Sequence, residues 1–143
     1  MKTVLVAIDG SECALRAVRH LLTKRALYRD PDELDIHLVN VQPRLPTDVS
    51  RFFDSAELTG FHHQESHKAI EDARALLDAA GAKYTCHAEV GHVAEEIVRL
   101  ADSLGCDQIV MGAHGRGALA ELLVGSTTLK VVHLARIPVL LVK

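Results

Sequence analysis

Apolar positions along this chain alternate between two rhythms. Residues 3–8 run Thr-Val-Leu-Val-Ala-Ile without a polar break, as a strand covered on both faces does. Asp9-Gly10-Ser11 interrupts the run. Ser11 followed by Glu12 marks a helix start, with a hydroxyl to cap and an acid for the first turn. From there to about residue 26, Ala14, Leu15, Val18, Leu21 and Leu22 recur at helical spacing. Asp30-Pro31-Asp32 is turn chemistry, and residues 34–41 alternate partly, predicting a second strand. Residues 43–60 hold Pro43, Pro46, Asp48, Ser50 and Gly60; they read as a long loop with a short helical turn near 49–53. A helix returns from about 62 to 80 on Ala69, Ile70, Ala73, Leu76, Leu77 and Ala80, closed by Gly81. Residues 83–90 form a third strand. Val93, Ile97, Leu100, Ala101 and Leu104 then align on one helical face, ended by Gly105. The β-branched run 107–111 predicts a buried fourth strand, followed by a glycine-rich segment, a helix over 126–135 and a last strand ending at Val142.

The predicted order is β-α-β-α-β-α-β-α-β. Strands alternating with helices imply right-handed crossovers and a parallel sheet with helices on both faces, an α/β fold. A chain of 143 residues suits a single domain with a sizeable core, and no internal repeat or linker interrupts it. In such folds ligands sit beyond the carboxyl ends of the strands, where the strand order reverses.

Composition narrows the function. Aromatics are 3% of the chain, with no Trp, so the core is aliphatic and stacking platforms for single-stranded nucleic acid are lacking. A net charge of −3 gives a phosphate-backbone partner no global support. No apolar run is long enough to span a membrane, and the N-terminus enters a strand pattern without a signal-peptide core. The three cysteines, Cys13, Cys86 and Cys106, are odd in number and far apart, which points to a reducing cytoplasm.

Candidate chemistry concentrates after the fourth strand, in Met111-Gly112-Ala113-His114-Gly115-Arg116-Gly117 and Gly125-Ser126-Thr127-Thr128. Glycines let backbone approach closely, and helix-start N–H groups attract an anion, so the arrangement suits phosphate. The hydroxyls, His114 and Arg116 add donors or charge. No Gly-Lys-Ser/Thr follows, so this is not a Walker loop. Residues 115–120 fit the loose G-x-G-x-x-A pattern, yet no acidic residue follows at the next strand end to hold a ribose.

Gly112-x-x-Gly115, nine residues, then Gly125-Ser126 resembles the G-2x-G-9x-G-[S/T] signature of the ATP-binding branch of the universal stress protein family. Val6-Ala7-Ile8-Asp9-Gly10-Ser11-Glu12 is similar to that family's opening strand and loop, and Ile137-Pro138-Val139-Leu140-Leu141-Val142 to its last strand. The resemblance covers the whole chain. It implies strand order 3-2-1-4-5, which brings Asp9, at the end of strand one, beside Gly112, at the end of strand four. It further implies that Asp9 accepts hydrogen bonds from ribose or adenine, that Ala7 and Ile8 begin the first contact loop, and that the backbone of Val41 holds the adenine. Met111, Gly112, Ala113, His114, Gly115, Arg116 and Gly117 would wrap ribose and phosphates, with Gly125, Ser126, Thr127 and Thr128 on the helix side. The ligand implied is ATP, with AMP or ADP as variants, and Mg²⁺ beside a triphosphate, although no carboxylate cage for the cation is visible. A homodimer is implied through the last strand, Val139–Val142, whose apolar edge invites pairing.

This picture is a cytoplasmic stress-response binding module with at most slow ATP hydrolysis, since no nucleophile–base pair is evident. One alternative is an adenylating or ATP-hydrolysing enzyme of related fold, but the S-G-G-x-D-S loop of such enzymes is replaced by Asp9-Gly10-Ser11-Glu12. The other is a nucleotide-free dimer acting by protein interaction. His63 and His67 share a helical face near His62, a zinc-pair spacing without a third ligand. His20, His37, His87, His92 and His133 read as scattered, partly exposed positions, and Cys13 as a small buried residue.

Overall fold

The structure is a computed structural model that describes residues 2–115 and 124–143. The chain runs β1 (Thr3–Ala7), α1 (Glu12–Arg25), β2 (Asp35–Gln42), α2 (Thr47–Ser50), α3 (Ser55–Ala79), β3 (Tyr84–Val90), α4 (Val93–Leu104), β4 (Gln108–Gly112), α5 (Ser126–Leu134) and β5 (Val139–Val142). The five strands are all parallel, in the order β3-β2-β1-β4-β5. The fold class and strand order expected from the sequence are those observed.

The unbroken apolar runs follow from burial on both faces of the sheet. Val4 and Val6 point to one side, where they join Val18, Leu21, Ile36, Leu38, Ile70 and Leu77 under α1 and α3. Leu5, Val39 and Val41 point to the other, packing with Ile97, Leu100, Ile109 and Val131 under α4 and α5. The period of two along each strand assigns alternate residues to two separate cores, and each helix adds one apolar stripe. Gly105 closes α4 in the left-handed region at φ 63°, where a side chain is disfavoured.

The segment read as a loop over 43–60 is more ordered than that. α3 begins at Ser55, two turns before the expected start, because Asp54 and Glu57 form a capping box. The Asp54 carboxylate accepts from the Glu57 N–H at 2.7 Å, and the Glu57 carboxylate accepts from the Asp54 N–H at 2.8 Å. That reciprocal pair offsets the cost of Gly60 in the helix interior.

His37 and His87 are also not scattered surface residues. They meet between β2 and β3, with His37 Nδ1 2.9 Å from His87 Nε2 and His37 Nε2 3.2 Å from the Asp35 carboxylate. A network in which His37 donates to Asp35 and accepts from His87 satisfies both rings in their neutral forms. Burial, then the neighbouring His37, push the His87 imidazole below its ordinary value of 6.5, opposed only by Glu89. The unfolded chain therefore takes up this proton first as pH falls. The His87 contribution to stability is complete above about pH 6.5 and declines as pH drops below that value. Urea midpoints measured from pH 7.5 to 5.5 should fall in the native chain and fall less in His87→Gln. The carboxylates held below their ordinary range, Asp32, Glu95 and Asp107, act in a more acidic window and leave this one clear.

Candidate functional site

The sheet reverses its winding between β1 and β4. From β1 the chain moves outward to β2 and β3, then returns to add β4 on the other side. Ala7 stands opposite Met111 in the β1–β4 register, so the loops leaving these two strands emerge side by side. A cavity of about 620 Å³ opens there, within the range of small-molecule sites. Of the residues singled out in the sequence, Ala7, Ile8, Asp9, Val41, Met111, Gly112, His114, Gly115, Gly125, Ser126, Thr127 and Thr128 line it. Arg116 and Gly117 lie outside the described residues.

The β1 loop is held by its own polar groups. Asp9 Oδ1 accepts from the Ser11 N–H at 2.9 Å, and Ser11 Oγ accepts from the Ala14 N–H at 3.2 Å, capping α1. Asp9 is thus a turn anchor as well as a wall of the cavity. Its other oxygen, Oδ2, lies 2.9 Å from where a β-carbon on Gly115 would stand. A side chain at 115 would have to displace the Asp9 carboxylate from this position.

The β4 loop is stitched to α5 and β5. The Ala113 N–H donates to the Val142 carbonyl at 2.8 Å, and the Ala113 carbonyl accepts from the Gly125 N–H at 2.8 Å. Ala113 is 1% exposed and is not among the cavity-lining residues; it sits in the joint between β4, β5 and the start of α5. Thr128 donates its hydroxyl proton to the Gly112 carbonyl at 3.3 Å. That bond ties the start of α5 to the end of β4 and leaves the backbone N–H of the helix's first turn as the Thr128 contribution to an anion. Gly112 has a packing duty too: a β-carbon there would stand 2.8 Å from the Cys13 carbonyl carbon and 3.0 Å from the Ala14 nitrogen. Cys13 is buried as expected, and its thiol donates to the Val142 carbonyl at 3.1 Å.

The chemistry of the cavity is that of an anion on an apolar body. At one end α5 begins at Gly125, which has no side-chain cap; its first N–H groups lack helical partners and carry the positive end of the helix dipole. Ser126 and Thr127 are exposed beside them. His114 Nδ1 is buried and has no hydrogen-bond partner among the described residues, so it is free to meet a ligand atom. Val39, Val41, Val93, Ile97 and Met111 supply the apolar floor and walls.

Several lining groups escaped the sequence reading. Asn40 is 3% exposed; its Nδ2 donates to the Ile8 carbonyl at 2.7 Å, and its Oδ1 accepts from Ser66 and from Gln42, each at 2.8 Å. A lone amide inside an apolar strand was the available signal, because a buried polar group persists only when satisfied. Lys68 and Glu65 reach the cavity from α3. Nothing in their helical spacing separates them from ordinary solvated positions. His63 and His67 have the spacing of a zinc pair in the sequence, and no group of three or more potential metal ligands occurs among the described residues.

Fold and cavity together define a doubly wound α/β protein with a glycine-lined cavity at its topological switch point. The profile of the Universal stress protein family matches residues 1–143. Universal stress protein MJ0531 of Methanocaldococcus jannaschii is 31% identical over 144 residues, covering 99% of this chain and 82% of the relative. Among solved structures, that of MJ0577 from the same organism superposes with a TM-score of 0.81 at 32% identity, covering 99% of this chain and 95% of the other. A universal stress protein solved in complex with cAMP superposes with a TM-score of 0.70 at 25% identity, covering 99% and 97%. The chain belongs to the universal stress protein family. Among the described residues no helix is long and apolar enough to cross a membrane.

Proposed function

We propose that this chain is an ATP-binding module, with AMP or ADP as variants of the ligand, acting in a cytoplasmic stress response as a single regulatory domain. The observation that carries the reading is the convergence of Asp9 with Gly112–Gly115 and Gly125–Thr128, a hundred residues apart in sequence, around one cavity of about 620 Å³. The relative solved with cAMP supports an adenine nucleotide as the class. In this reading Val41 faces the adenine, Asp9 accepts from the ribose, and the phosphates lie against Gly115, His114 and the first turn of α5. Mg²⁺ accompanies a triphosphate and neutralises part of its charge. No nucleophile–base pair stands out among the described residues at the cavity, and in this reading any hydrolysis is slow background chemistry.

The module works as a homodimer. β5 is an edge of the sheet, its four residues are each partly exposed, and Leu129, Val132 and Leu134 stand exposed on the adjacent α5. An isologous pairing of β5 with its copy covers that apolar edge. Native mass spectrometry of freshly purified protein tests both halves. The expected spectrum is a dimer that retains adenine nucleotide and releases ATP on denaturation. A monomer that takes up no added nucleotide would overturn the reading.

A further inference from the structure

A second cavity, of about 540 Å³, lies on the far side of Asn40. It shares no lining residue with the first. The wall between them is hydrogen-bonded: Ser66 faces the second cavity, Asn40 the first, and the Ser66 hydroxyl donates to Asn40 Oδ1 at 2.8 Å. Its frame is the segment that reads as a loop in the sequence and folds instead into α2 and the first half of α3, closed by the edge strand β3.

The lining has a consistent chemical sense. Every ionisable group in it is a base, Arg44, His62 or His63, and no carboxylate is present. Arg44 is exposed and makes no ion pair or hydrogen bond among the described residues. His62 Nδ1 is buried yet has no hydrogen-bond partner among them, and the edge of its ring packs against Phe61, with centroids 5.5 Å apart. An unpartnered buried ring nitrogen on a residue that lines a cavity is a polar group still lacking a partner, which a ligand atom could supply once the ring turns toward the cavity. The rest of the lining is aliphatic at Leu45, Leu58, Ala88 and Val90, with hydroxyls at Ser50, Thr59 and Ser66. The chain's three phenylalanines, Phe52, Phe53 and Phe61, all stand exposed in this same region, although the protein has few aromatics to place.

We propose that this cavity binds a small amphiphilic carboxylate, its head on Arg44, His62 and His63 and its tail on Leu45, Leu58 and Val90. A planar carboxylate matches the arginine fork, and the aliphatic wall requires an apolar body that inorganic anions lack. The site is independent of the nucleotide.

Octanoate tests this on the full-length chain, followed through the His62 and His63 ring signals by NMR. Octanol serves as the uncharged control and inorganic phosphate as the anion without a tail. Octanoate should move both rings saturably, and bind at least about tenfold more tightly than either control, the worth of one charge-assisted hydrogen bond. Arg44→Ala, a surface change, should weaken octanoate about tenfold by the same measure, and saturating ATP should leave its affinity unchanged. Octanol or phosphate binding as well as octanoate, ring signals that do not move, or displacement by ATP would each overturn the assignment.

Discussion

Gly112→Val is expected to lower the stability of the whole domain by about 3 kcal/mol, the upper part of the range for overpacked cores. The reason is that a side chain at 112 meets backbone. The Cys13 carbonyl carbon at 2.8 Å and the Ala14 nitrogen at 3.0 Å belong to the first turn of α1, which cannot rotate aside as a side-chain tip would. α1 must move away from β4, opening the core at Val18 and Val110 and separating the two loops that face the cavity. Urea denaturation reads this directly as a lower midpoint. Gly60→Ala is the matched control: nothing lies within 4 Å of its added carbon, and it sits in the interior of α3. That change should stabilise by about 0.5–1 kcal/mol through the loss of unfolded-state freedom. Equal midpoints for the two variants would show that Gly112 is not a packing glycine.

What the chain declared in advance, and what it concealed, divides along physical lines. Strands sealed between two helical layers are largely apolar, so β1 and β4 were legible as unbroken apolar runs, and β2 as a partial alternation. Helices with one buried stripe were equally plain in α1 and α4. The start of α3 was missed because its signal is a single reciprocal pair, Asp54 with Glu57, among residues that also favour turns. The histidine pair was missed for another reason: His37 and His87 are fifty positions apart, and only the β2–β3 register brings them together. At the site the same distinction holds. Glycines and hydroxyls at the strand ends were visible because backbone geometry demands those residue types. Ala113 lies just behind the cavity surface, and spacing cannot tell a residue that faces a cavity from its neighbour in the joint. Lys68 and Glu65 were invisible because an exposed charge on a helix carries no local mark of what lies opposite.

The Asp9–Gly115 contact is the place where affinity for nucleotide should be most sensitive. ATP is expected to bind with roughly micromolar affinity, about −8 kcal/mol. Asp9→Ala removes an acceptor at the cavity and the anchor of the Ser11 N–H together. Gly115→Val puts its side chain where Asp9 Oδ2 now lies, 2.9 Å from the nearest added carbon. Each should weaken ATP by about tenfold or more, the cost of a lost hydrogen bond to a charged group, as read by calorimetry. The pair also predicts a specific non-additivity. Gly115→Val acts by pushing the Asp9 carboxylate, so in an Asp9→Ala background the obstacle is gone and the glycine change should cost little further. The double variant should therefore bind ATP more tightly than the sum of the single losses implies, the signature of two groups in contact. Additive losses would mean that the two loops act separately on the ligand. Affinity unchanged in both single variants would mean that the nucleotide does not occupy this crevice, since no ligand held between β1 and β4 escapes both walls at once.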